Sequence, residues 1–94
     1  MPQENLAKFI IETIMENFPD SMQSKIRVKS ISIDEDAGEI RIELEVSAEI
    51  SADTFAEKYF GLTRKTYSKI RDNFDSFGTY FPVITPEFLQ RSHA

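Results

Sequence analysis

The chain predicts one α+β domain, a small antiparallel sheet packed by helices on one face, with elements in the order α-β-β-α-α-β. Three observations carry this. Apolar residues recur at helical spacing over 4–18, apolar and polar residues alternate over 39–50, and two short helical patterns meet at Gly61. With 94 residues there is room for a single core, so the domain is expected to span 1–94, with 91–94 as a frayed tail.

Over residues 4–18, Leu6, Phe9, Ile10, Ile14 and Phe18 fall on one stripe, widened by Ala7, Ile11 and Met15. Glu4, Lys8, Glu12 and Glu16 face water. Pro19 stops the helix, because the residue before a proline avoids the α region. The next strand, 25–34, changes phase: Ile26 and Val28 are even, Ile31 and Ile33 odd. A one-residue slip turns every side chain over, so a β-bulge is expected at Lys29-Ser30. Glu35-Asp36-Ala37-Gly38 closes a hairpin, Gly38 supplying positive φ. The second strand is expected to run from Glu39 to Ile50, with Ile40, Ile42, Leu44, Val46, Ala48 and Ile50 inward. The bulged register brings Arg27 to Glu45 and Lys29 to Glu43.

Ser51 is an N-cap signal with Asp53 in the first turn, for a helix through Phe55 and Tyr59 that breaks at Gly61. Thr63 is expected to cap a second helix with the stripe Tyr67, Ile70, Phe74 and Phe77, ending at Gly78. Residues 79–84 read as a short strand, which Pro82 confines to an edge or an irregular pairing. Thr85-Pro86-Glu87 reads as the start of a last helical turn.

Composition narrows the function. The chain has no cysteine, so disulfides and thiol chemistry are excluded. Its one histidine, His93, is the penultimate residue, so the usual nucleophile–base pairs are missing and no enzyme is expected. The acidic residues of the hairpin tip lack calcium-loop spacing, and no glycine-rich phosphate loop is present. Neither metal nor cofactor is expected. No signal peptide is read at the N-terminus and no apolar run approaches membrane-span length, so the expected location is cytoplasmic, without a membrane partner.

Charge is segregated. Residues 58–71 carry Lys58, Arg64, Lys65, Lys69 and Arg71 with no acid, although the net charge is -5. Residues 34–57 hold nine carboxylates against Arg41 alone. Such a stretch marks an anion-binding surface. Nine of the eleven aromatics lie from Phe55 to Phe88. Tyr59 or Tyr67 beside Arg64 or Lys69 is placed to stack a base, while Phe55, Phe60, Phe74, Phe77, Phe81 and Phe88 are expected to fill the core.

Residues 55–70, FAEKYFGLTRKTYSKI, resemble a helix-turn-helix, with Gly61 at the turn and Leu62 following it. The resemblance implies that Arg64, Lys65, Thr66, Ser68 and Lys69 face a DNA major groove, with Lys58 and Arg71 widening the positive field. Glu57 stands where that motif wants a small buried residue, and one inserted residue restores Ala56 there. The element order also resembles the type II KH fold, in which a loop between the central helices grips a nucleic-acid backbone; Gly61-Leu62-Thr63-Arg64 takes that loop's place, with Arg64 where the family has a second glycine. Ribosome-binding factor A proteins are similar in element order and have a kinked glycine there instead. Both resemblances imply a non-enzymatic nucleic-acid-binding protein. The alternative is a protein-interaction module, a small acidic adaptor or inhibitor of the phage or plasmid type. A homodimer would suit it, because a long strand end and paired acidic and basic patches favour self-association.

Overall fold

A computed structural model describes residues 2–90; the tail 91–94, His93 included, lies outside them. The elements are α1 (Pro2–Glu16), α2 (Asp20–Gln23), β1 (Ile26–Asp34), β2 (Glu39–Val46), α3 (Ala52–Tyr59), α4 (Leu62–Asn73), a 3-10 turn (Asp75–Phe77) and β3 (Phe81–Phe88). Apart from the short α2 and the 3-10 turn, this is the expected order. No helix among the described residues is long and apolar enough to cross a membrane.

Leu6, Ile10, Ile14 and Phe18 bury the expected stripe, with Thr13 beside them; Ile11 is 39% exposed and lies off it. Beyond Pro19, α2 turns the chain back, and Gln23 Nε2 donates to the carbonyls of Met15 and Phe18, both at 3.0 Å. Those bonds tie α2 to the last turn of α1 and to the residue before Pro19.

β1 and β2 pair antiparallel, with Val28 opposite Leu44 and Ser30 opposite Glu43, so Lys29 is the bulged residue. Gly38 takes φ 66° and Ala37 N donates to Asp34 Oδ1 at 3.0 Å, a local side-chain bond that holds the turn. Arg27 bonds Glu45 as expected. Lys29 does not meet Glu43; it reaches Glu87 on β3 at 3.6 Å. The reason is a like-charged neighbour pair: Glu45 stands opposite Glu87. Arg27 neutralises the first and Lys29 the second.

Three expectations are corrected here. β2 ends at Val46, not Ile50: Glu49 N turns back to the Ser47 hydroxyl at 3.2 Å, a local bond that competes with the ladder. The sheet, in the order β1-β2-β3, is mixed rather than antiparallel, because β3 pairs parallel to β2. A crossover carrying two helices separates these strands, the kind of connection a parallel pair needs. The proposed helical turn at 85–89 is instead the end of β3, with Thr85, Pro86 and Glu87 opposite Glu43, Leu44 and Glu45. Phe81 N donates to Gly38 O and Leu89 N to Val46 O, so the odd residues of β3 bond inward to β2. Pro82 and Pro86 fall on the outward positions, where a strand edge needs no N–H.

The helices cover one sheet face. Ile40, Ile42, Leu44 and Val46 meet Leu6, Ile10 and Ile14 of α1, Phe55 of α3, and Leu62 and Ile70 of α4 in one core. The other face carries Arg27, Arg41, Glu43 and Thr85, all exposed.

Candidate functional site

The site forms where α3 gives way to α4. Ser51 caps α3 by accepting from Thr54 N at 3.2 Å. At the other end, Asn17 Nδ2 donates to the Lys58 carbonyl, tying the end of α3 to the end of α1. Phe55 is buried between Phe18 (ring centroids 5.6 Å), Tyr59 (5.3 Å) and Phe88 (5.4 Å). Tyr59 donates its hydroxyl to the Ile84 carbonyl at 3.1 Å, so α3 is held against β3.

Only Phe60 and Gly61 separate the helices. Phe60 leaves the helix at φ -55°, ψ 125°, and Gly61 takes φ 81° as the N-cap of α4. A left-handed backbone of that kind costs a residue with a Cβ roughly 1–2 kcal/mol, which is why glycine stands there. Leu62 is completely buried on the far side and fixes the direction in which α4 leaves.

Between these two anchors lies an open groove of about 770 Å³, walled by Tyr59, Phe60, Gly61, Arg64, Tyr67 and Phe81. Phe60 is 89% exposed and Phe81 53% exposed. The Tyr67 and Phe81 rings lie 5.6 Å apart, and the Arg71 guanidinium sits 5.7 Å above the Tyr67 ring.

At about 100° per residue, α4 divides its side chains into three stripes. Leu62, Thr66 and Ile70 enter the core. Arg64, Tyr67, Ser68 and Arg71 share the groove side, whereas Lys65 and Lys69 fall on the opposite flank, exposed. The expected cluster is therefore split. Gly61 and Arg64 line the groove, Arg71 lies next to it over the Tyr67 ring, and Ser68 is half-buried one turn from each arginine. Lys58 is exposed on α3 beside the break. Thr66 does not face solvent at all: it is fully buried, and its Oγ1 has no hydrogen-bond partner among the described residues.

The cations of the sheet and of the break differ in their pairing. Lys25, Arg27, Lys29 and Arg41 each lie within ion-pair distance of a carboxylate. Among the described residues, Lys58, Arg64, Lys65 and Lys69 pair with none, and Arg71 reaches only its neighbour Asp72 at 3.7 Å. The acidic stretch of 34–57 is thus partly neutralised by its own strand neighbours, while Lys58 and Arg64 flank the break with no carboxylate partner among the described residues.

Neither resemblance is matched in its working part. Ala56 and Glu57 are both exposed, so the position a helix-turn-helix buries faces solvent in either alignment. No four-residue loop separates the helices either, because Leu62, Thr63 and Arg64 are already the first turn of α4. What remains is a glycine kink. Phe60 and Phe81, assigned to the core from sequence, are instead the exposed aromatics of the groove. A sign of this was present for Phe60, which lies off the stripe shared by Phe55, Tyr59 and Leu62. The chain matches no protein-family model, no curated protein and no solved structure.

Proposed function

We propose that this chain is a non-enzymatic binding protein that holds single-stranded nucleic acid in the groove at the α3–α4 break. One observation carries the reading: exposed aromatic faces, Phe60 and Phe81, stand beside Arg64, which has no carboxylate partner among the described residues. Aromatic platforms with a positive track suit a single strand, whose bases present their faces, and suit a duplex poorly, since its bases are already stacked. Arg64 and Arg71 contact phosphate, and the N-terminus of α4, which has no acidic residue in its first turn and no side-chain cap, adds partial positive charge on the same side. The acidic sheet repels phosphate and so orients an approaching strand toward the break.

A fluorescence-anisotropy titration with labelled single-stranded RNA, single-stranded DNA and duplex DNA at two salt concentrations tests this. Single strands are expected to bind with a salt dependence that Arg64→Ala lowers by about 0.7 in log–log slope, the share of one phosphate contact. No binding at low salt, or a preference for duplex, defeats the proposal. The adaptor reading draws on the net charge of -5, and self-association rests on a different surface.

A further inference from the structure

The two edges of the sheet are not alike. On β3 the outward positions are Pro82, Ile84, Pro86 and Phe88; the prolines have no N–H, and the Ile84 carbonyl is taken by the Tyr59 hydroxyl. That edge is closed to another strand. On β1, Ser47 N donates to Lys25 O, Arg27 stands opposite Glu45, and beyond the bulge Ser32 and Asp34 stand opposite Arg41 and Glu39. Alternation therefore turns the N–H and C=O groups of Ile26, Val28, Ile31 and Ile33 outward, and none of them has a backbone partner among the described residues.

We infer that β1 joins two copies of this chain, antiparallel about a two-fold axis between Lys29 and Ser30, into a continuous six-stranded sheet. The spacing of the outward residues, two, three and two, reads the same in both directions. Ile26 then faces Ile33 of the second copy and Val28 faces Ile31, so each N–H meets a C=O. The bulge that keeps a regular strand away from an edge is matched by the same bulge in the second copy. Charge agrees: β1 is flanked by Lys25 and Arg27 at one end and Asp34, Glu35 and Asp36 at the other. The antiparallel arrangement places Lys25 opposite Asp34 of the second copy with Arg27 diagonal to it; a parallel one sets like against like. The association also covers half-buried Val28, Ile31 and Ile33 and a cleft of about 220 Å³ between α1 and β1. Such an interface is isologous and closes at two copies.

The test is sedimentation velocity of the whole chain over a concentration series reaching about 100 µM, with Ile31→Pro beside the wild type. The wild type is expected at twice the 10.8 kDa chain mass. Ile31→Pro should raise the dimer dissociation constant at least about tenfold. Position 31 makes no ladder bond through its N–H, so proline leaves the hairpin intact, which circular dichroism checks. Should that variant fail to fold, Lys25→Glu at an exposed position sets two carboxylates against each other and gives the same decision. Amide exchange in the wild type gives it without a variant: the Ile31 and Ile33 amides become protected as concentration rises. A wild type monomeric throughout, or a dimer that persists in both variants, overturns the inference. Neither outcome bears on the groove, which lies on the opposite edge.

Discussion

Replacing Phe60 by alanine separates binding from folding more sharply than any other change in this chain. The side chain is 89% exposed, so about 20 Å² of its surface is buried, worth about 0.5 kcal/mol at ~25 cal/mol/Å². The backbone there is in a region every residue adopts, and its N–H bond to the Ala56 carbonyl at 3.0 Å survives substitution. A melting-temperature change of at most about 4 °C follows. Binding should respond very differently. A base stacked on an aromatic ring is worth about 1–3 kcal/mol, so single-strand affinity should fall roughly 5- to 150-fold. Phe60→Tyr, which keeps the ring, should restore it. The assay is anisotropy with a labelled single strand alongside a thermal melt. If Phe60→Ala binds within about twofold of the wild type while remaining folded, the ring does not touch the ligand and the stacking reading is wrong.

Three further changes test other parts of the structure. Thr66→Val removes a buried hydroxyl with no partner and keeps the shape, so urea denaturation should show a gain of about 1 kcal/mol; a loss would mean that the hydroxyl is bonded. Gly61→Ala meets nothing within 4 Å, so its cost should be the left-handed backbone alone, roughly 1–2 kcal/mol in the same assay. An unchanged midpoint would contradict the positive φ. Lys65→Ala should weaken single-strand binding less than Arg64→Ala, because it projects from the opposite flank of α4. Equal effects would move the ligand off the groove.

Local rules made much of the fold legible. The phase change in β1 located the bulge at Lys29, and Ser51 and Gly61 marked the limits of α3. What sequence could not supply was the direction of β3. Parallel and antiparallel strands carry the same alternation, and the choice follows from the path of the crossover, a tertiary fact. Pro86 misled for a related reason. Thr-Pro-Glu is a sound helix start in isolation, but on an outward edge position the missing N–H costs nothing. At the site, composition found the basic stretch but not its division. Counting charges along 58–71 ignores that helical geometry sends Arg64 and Arg71 one way, Lys65 and Lys69 another, and Thr66 inward.

The break between α3 and α4 is the feature that packing alone does not explain. Phe55, Tyr59, Leu62, Thr66 and Ile70 follow one another at spacings of four, three, four and four, the stripe of a single continuous amphipathic helix. One uninterrupted helix would keep those residues in phase. Instead the chain places a glycine at φ 81° and leaves a phenylalanine almost fully in water. The first interrupts a helix that the stripe would continue, the second leaves an apolar ring in water, and neither adds to the core. Their combined effect is to present a bare aromatic ring, the start of α4 and Arg64 on one side of a groove whose other wall is Phe81. An interrupted helix and an exposed ring that converge on one open groove, next to Arg64, which pairs with no carboxylate among the described residues, are better accounted for by a ligand than by stability.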